Sequence, residues 1–253
     1  MNVAVCVKQI PDPATPGKLD PSTKTLVREG KLILDDSDAY GVEMALQLVD
    51  KAGGGEVTLV SMAPNSEVSG LRTALAMGAH KAILVSDDSL KGSDALTTAK
   101  VLAAAIQRAG ADLVLAATES TDGYTGTTPV QVAEFLGLPA VTFAKKIEVD
   151  GQTVKVDRQT EAGYDEVECP LPCLVTVTAG VVEPRYPSFK GIMAAKGKPV
   201  EELKAADLGV EVNVQQQVTD VAPAEERQAG EVVVDEGDAH ERIVQFLEQL
   251  KVI

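Results

Sequence analysis

The chain opens with "NVAVCVKQI" (2–10), an apolar run of the kind carried by a strand buried on both faces, and a Pro-rich, Asp-rich loop follows to about Asp35. The next segment, "DAYGVEMALQLVDKA" (38–52), spaces its apolar residues as a helix, with Asp36 or Ser37 as N-cap and Gly53-Gly54-Gly55 as its stop. The order then repeats. A strand at 56–63 ("EVTLVSMA") precedes a helix at 66–77 ending at Gly78; a strand at 81–87 ("KAILVSD") precedes a helix at 93–109 ending at Gly110. A strand at 112–119 ("DLVLAATE") then leads to a helix from about Thr125 to Phe135. Strands apolar on both faces, alternating with helices, predict an α/β fold: a mostly parallel sheet with helices on both faces.

From residue 140 the pattern changes. "AVTFAKKIEVDGQTVKVDRQ" and "YDEVECPLPCLVTVTAG" alternate, and their "DG" turn predicts an antiparallel hairpin or meander, hence a β-rich region. Residues 211–236 are polar and acidic with few apolar anchors, which reads as an extended arm or linker. "AHERIVQFLEQLKVI" (239–253) is an amphipathic helix with Ile243, Phe246, Leu247 and Leu250 on one stripe, and such a helix needs another surface to pack on. These patterns divide the chain into an α/β core at 1–200 and an arm with its helix at 201–253.

At 253 residues and 45% hydrophobic content the chain can bury a substantial core. Its 23 Lys plus Arg against 38 Asp plus Glu give 23 − 38 = −15, which repels nucleic acid and anionic membrane surfaces. With no Trp and 3% aromatics, base stacking is poorly supplied as well. The opening residues lack the layout of a signal peptide, and no apolar run reaches the ~18 residues of a membrane span, so the expected place is the cytoplasm without membrane insertion. Cys6, Cys169 and Cys173 are an odd number in a long chain, which fits reduced structural thiols.

Catalytic chemistry is hard to find in the residues. His80 and His240 sit beside no triad or metal pattern, and "CPLPC" has three residues between its cysteines, unlike the C-x-x-C of zinc and redox sites. No G-x-G-x-x-G follows a strand, the triglycine precedes one, and no G-x-x-x-x-G-K-[ST] is present. No catalytic residue and no metal site is therefore expected. One loop does resemble a ligand site: "ATESTDGYTGTTPVQVAEFLG" (117–137) runs from the C-terminal end of a parallel strand into a helix, where open α/β sheets bind ligands and helix N-termini attract phosphate. Gly123 and Gly126 let backbone approach closely, Thr125, Thr127 and Thr128 add hydroxyls, and Asp122 can accept from a ribose or an adenine amino group.

"EPRYPSFKGIMAAK" (183–196) places Pro184, Pro187 and Lys190 too close together for a core strand, so it reads as an exposed loop with an apolar tip. Ser188 can cap a short helix from Phe189 that sets Phe189, Ile192 and Met193 on one face. Arg185, Lys190, Lys196 and Lys198 flank it with positive charge that can steer toward an acidic partner. The alternative is that Phe189 folds back onto the sheet.

With these residues in view the chain resembles the β subunits of electron transfer flavoprotein from end to end: "VAVCVKQIPD", "GVEMALQL", "LRTALAMGAHKAILV", "VKVDRQTEAGYDEVECPLPCLVTVT" and "EPRYPSFKGIMAAK". The resemblance implies an adenine nucleotide α-hydrolase-like α/β core, and a heterodimer with an α subunit that holds most of the FAD contacts. The C-terminal arm and helix would pack on that subunit. It implies AMP in a pocket lined by Ala4, Cys6, Asp35, Asp38, Ser61, Met62, Asp122, Gly123, Tyr124, Thr125, Gly126 and Thr127, or a second FAD there, as in electron-bifurcating relatives. It further implies a recognition loop at 183–198 for acyl-CoA and related dehydrogenases, using Arg185, Tyr186, Phe189, Lys190, Ile192, Met193 and Lys196, with electrons passed on to a membrane quinone oxidoreductase. Asp35-Asp36 stands where many relatives have Asn-Pro, Tyr124 replaces polar amides in a shorter phosphate loop, and Gln159 replaces a Glu beside Arg158. A free-standing nucleotide-binding module is the alternative class, against which the arm argues. An adenylate-forming enzyme would require a pyrophosphate motif that is absent.

Overall fold

The apolar runs at 56–63, 81–87 and 112–119 each become a strand of one sheet, which the start of the first run joins. The computed structural model describes residues 1–15, 17–28, 30–63, 65–222, 230 and 232–253. In chain order its elements begin with β1 (Val3–Cys6), β2 (Gln9–Pro11), β3 (Leu32–Leu34), α1 (Asp36–Lys51), β4 (Val57–Ala63), α2 (Ser69–Met77) and β5 (Lys81–Ser86). They continue with α3 (Ala95–Ala109), β6 (Leu113–Ala117), α4 (Thr128–Leu136), β7 (Ala140–Asp150), β8 (Thr153–Thr160), β9 (Gly163–Pro170), β10 (Cys173–Val177), α5 (Phe189–Ala195), β11 (Val200–Leu203) and α6 (Ala239–Gln249). The main sheet runs β11-β5-β4-β1-β6-β10-β7-β8-β9, parallel from β11 to β7 and antiparallel through β8 and β9. The expected mostly parallel α/β sheet is what forms.

The apolar residues sort onto the two sides of that sheet. Val42, Leu46 and Val49 of α1 and Leu71 and Leu75 of α2 pack on one side with Val3, Val5 and Leu59; Val101, Ala105 and Ile106 of α3 and Val132 of α4 pack on the other with Ala4, Val60 and Val114. The connection after β1 therefore lies on one face and the connection after β6, its neighbour, on the other. A crevice opens at such a switch point, outside the carboxyl ends of the strands, and it is where this fold takes ligands.

Several local expectations are corrected. The first apolar run is two strands, because the chain leaves the main sheet after Cys6 and Gln9–Pro11 pairs antiparallel with β3. Gln9 turns inward from β2, where its Oε1 accepts the Gly70 N–H at 2.9 Å and caps α2, which begins at Ser69 rather than 66. Asp35, not Asp36 or Ser37, caps α1 by accepting the Ser37 N–H at 3.0 Å. The meander is confined to β7–β9. "CLVTV" is instead a buried parallel strand between β6 and β7, and its one polar residue, Thr176, accepts the Phe143 N–H at 2.9 Å. Phe143 lies at a register shift of β7 against β10, with φ 60°.

The chain forms two compact units, Met1–Val218 and Thr219–Ile253. The first includes β11 at the edge of the sheet and the segment that follows it. Asp94, the N-cap of α3, also accepts the N–H groups of Gln215 and Gln216 at 2.7 and 3.1 Å, fixing that segment to the start of the helix. In the second unit α6 buries no residue, and Phe246 is 59% exposed. Among the described residues no helix is long and apolar enough to cross a membrane.

Candidate functional site

The crevice is built by three segments that end at the same edge: residues 7 and 8 after β1, the turn before α1, and the loop from Thr118 to Thr127 after β6. Asp35 is fully buried and joins two of them. One of its carboxylate oxygens caps α1, and the other accepts the Thr121 N–H at 2.8 Å and the Thr121 hydroxyl at 3.2 Å. Asp38, one turn into α1, accepts the Lys8 N–H at 2.6 Å. Burial pushes the Asp38 carboxyl well above the usual carboxylate range; the Lys8 N–H works against that, and the charges of Asp35 and Asp122 add to it. Burial, and then the Asp38 charge, raise the neighbouring Cys6 thiol to about 12, so it is a structural thiol rather than a nucleophile.

Asp122 is held by two cations. Lys8 Nζ donates to its Oδ1 at 2.6 Å and to Ser120 Oγ at 3.2 Å, while Arg28 Nη1 donates to its Oδ2. Burial works to raise the Asp122 carboxyl, but the hydrogen bond and charge of Lys8, with those of Arg28, outweigh it and hold the group below its ordinary value. Sequence reasoning missed both cations. Lys8 carried a usable signal, a lysine directly after a buried parallel strand; Arg28 sits in an irregular loop and carried none.

The loop itself is shaped for a ligand. Gly126 has φ 70°, where a side chain is strained, and Tyr124 takes φ 48° with its ring exposed. α4 starts at Thr128, later than the expected Thr125, and its N-cap, Thr127, makes no side-chain cap. The α4 terminus therefore offers backbone N–H groups and a positive dipole end. Ser61 Oγ, buried near the end of β4, has no hydrogen-bond partner among the described residues. An adenine nucleotide fits the chemistry of the loop: an uncapped helix start and cations beside it.

The structure does not bring every expected residue to the crevice by its side chain. Ala4 is fully buried against the α3 side of the sheet, with Cys6 and Met62 packed on the same side, so these strands have only their end backbone to offer. Ser61, by strand alternation, points to the opposite side. Asp35, Asp38 and the loop 122–127 do gather there. His80 has a structural task, its Nδ1 accepting the Val57 N–H at 3.0 Å.

The second region is the segment 183–198. Ser188 caps α5 as expected, accepting the Gly191 N–H at 3.1 Å. Phe189 does not fold back: it is 81% exposed, Tyr186 is 92% exposed, and Ile192 and Met193 are exposed beside them. Two of the four expected steering charges are engaged within the chain. Arg185 holds the buried Glu43 of α1 through Nε at 2.5 Å and Nη2 at 3.0 Å, and Lys198 donates to the Leu75 and Ala79 carbonyls at 2.8 and 2.6 Å. Lys190 and Lys196 remain on the exposed surface.

The whole chain has clear relatives. A family model described as electron transfer flavoprotein domain matches residues 23–208. The chain is 40% identical to the electron transfer flavoprotein subunit beta of Mycobacterium leprae, over 100% of this chain and 99% of the relative. It is 41% identical to the subunit of the same name from Thermoanaerobacterium thermosaccharolyticum, over 84% and 82% of the two chains. It is also 40% identical to the caffeyl-CoA reductase-Etf complex subunit CarD of Acetobacterium woodii, over 83% and 80%. The chain belongs to the electron transfer flavoprotein family, as one of its β subunits.

Proposed function

We propose that this chain is the electron-carrier β subunit of a cytoplasmic heterodimer whose α subunit holds most of an FAD. The complex accepts electrons from acyl-CoA and related dehydrogenases and delivers them to a membrane quinone oxidoreductase. The observation that carries this reading is the segment 183–198. In a chain aligned end to end with β subunits, it presents Phe189, Ile192 and Met193 to solvent from a short, firmly tethered helix, with Tyr186 exposed just before it. An aromatic anchor amid smaller apolar contacts is the anatomy of a transient docking site. The flavin supplies the redox chemistry, and this chain's residues bind, orient and present. The exposed stripe of α6 is the surface the α subunit buries.

The crevice takes an adenine nucleotide, with its phosphate at the start of α4 and at Gly123 and Gly126. AMP is the leading occupant, because Asp122 already engages Lys8 and Arg28 and leaves about one net positive charge for a phosphate. A second reading places a second FAD there. It is favoured by the same two cations, which the loop sequence alone did not reveal and which a pyrophosphate could recruit. Co-expression with an α subunit is expected to give a yellow 1:1 complex that releases one FAD and one AMP on denaturation. Two flavins without AMP favour the second reading. A stable, colourless monomer that ignores the α subunit overturns the heterodimer itself.

A further inference from the structure

The two most distinctive stretches of the chain, "LRTALAMGAH" on α2 and "RYPSFKGIMAAKGK" around α5, meet in space, and each ends the other's helix. Arg72 on α2 sends Nη1 to the Ala195 and Lys198 carbonyls, at 2.7 and 2.8 Å, just where α5 finishes. Lys198 sends Nζ back to the Leu75 and Ala79 carbonyls, at 2.8 and 2.6 Å, around the end of α2. The last carbonyls of any helix lack intrahelical partners, and a cation placed there satisfies them and complements the negative end of the dipole. Between these two caps the helices touch backbone to backbone. A Cβ added at Gly191 would lie 2.4 Å from the Ala76 carbonyl oxygen, so only glycine admits this approach.

We propose that Arg72, Lys198 and Gly191 form a reciprocal capping joint that sets the direction in which α5 presents Phe189, Ile192 and Met193, and that they are positioning residues for docking of a dehydrogenase. The proposal rests on the reading of 183–198 as the recognition segment and adds what holds it in place. A seven-residue helix is too short to be stable by itself, so its orientation must come from tertiary contacts. Both cations are taken up by carbonyl oxygens, and neither is an exposed flank of the docking surface. The joint leaves the apolar tip free while removing the freedom of the backbone beneath it. Docking then needs little ordering of this segment, which favours fast, repeated encounters.

The test uses the heterodimer with its α subunit, reduced by an acyl-CoA dehydrogenase and its acyl-CoA. Gly191→Ala and Arg72→Gln are compared with Phe189→Ala under the same conditions. The proposal expects both joint variants to raise the KM for the heterodimer about tenfold, with kcat, flavin content and flavin reduction by dithionite unchanged. Arg72→Lys, which keeps a donor, is expected to recover part of the loss. If Gly191→Ala does not assemble, the two Arg72 variants decide the matter by the same split. Wild-type KM in the joint variants, alongside a raised KM in Phe189→Ala, overturns the joint while leaving the recognition reading intact. Wild-type KM in all three overturns both. A fall in kcat with loss of flavin assigns the joint to stability alone and also overturns the proposal.

Discussion

α5 and α6 are both short helices with an exposed apolar stripe, yet they are held in opposite ways. α5 is capped by Ser188, pinned by Arg72 and Lys198, and led in by Arg185 on Glu43. α6 buries nothing in its own unit, although Ile243, Phe246 and Leu250 lie on one stripe. The difference fits the two roles proposed for these surfaces. A surface that must meet a partner, let go and meet the next one benefits from being pre-ordered by its own chain, because ordering costs reduce each encounter. A stripe that its own unit leaves uncovered is completed only by a lasting contact, and burial in that contact is then part of folding.

The largest expected effect comes from removing the second kind of surface. Deleting residues 239–253 removes the stripe of Ile243, Phe246, Leu247 and Leu250, each worth roughly 1.5–3 kcal/mol when buried. The truncated chain is expected to yield no stable flavin-containing heterodimer on size-exclusion chromatography. A full yield of complex would erase the contrast between the two helices.

Arg185→Ala tests the tether on the other helix. Glu43 is 3% exposed, and losing the guanidinium leaves a buried carboxylate with Gln47 and the long backbone N–H contact of residue 185, at a cost of about 2 kcal/mol or roughly 4–8 °C in the thermal midpoint. Burial works to raise the Glu43 carboxyl, but Arg185 and Gln47 prevail and lower it. A lowered folded-state value means the pair stabilises the chain above the ordinary carboxylate range and loses that contribution as pH falls through the lowered value. The gap between wild type and Arg185→Ala, measured by thermal melts, is therefore expected to close in acid.

A smaller effect is expected at the crevice. Asp38 is raised by burial, so its stabilising contribution is complete below the unfolded value of about 3.9 and is lost as pH rises through the folded value. Asp38→Asn keeps an acceptor for the Lys8 N–H and cannot ionise. The variant is expected to flatten the fall in midpoint on the alkaline side by a few degrees, and an unchanged pH profile would show Asp38 already neutralised by other means.

The parallel sheet was legible because its strands are apolar on both faces and separated by helices with clear stops at Gly78 and Gly110. β10 was not, because Thr176 imitates the polar face of an exposed strand; its hydroxyl is instead satisfied inside by the Phe143 N–H. The glycine loop and Asp122 could be anticipated from their place after a parallel strand, whereas Asp35 and Asp38 follow the antiparallel β3 and were expected only from the family resemblance. Arg28 could not, since a contact 94 residues away from a loop without periodicity leaves no local trace. Likewise, Arg185 and Lys198 look like surface charges in the sequence, and only three-dimensional neighbours turn them into caps and tethers.

The central claim is that α5 is a docking element held ready by its own chain, and its most direct test is the concentration dependence of heterodimer reduction by an acyl-CoA dehydrogenase for wild type and Phe189→Ala. A docking anchor is worth 2 kcal/mol or more, which corresponds to a reduction rate about thirtyfold slower at limiting concentration. The expected result is that loss, with thermal midpoint and flavin content unchanged and the rate recovering at saturation. Equal rates for the two proteins at every concentration would contradict the claim.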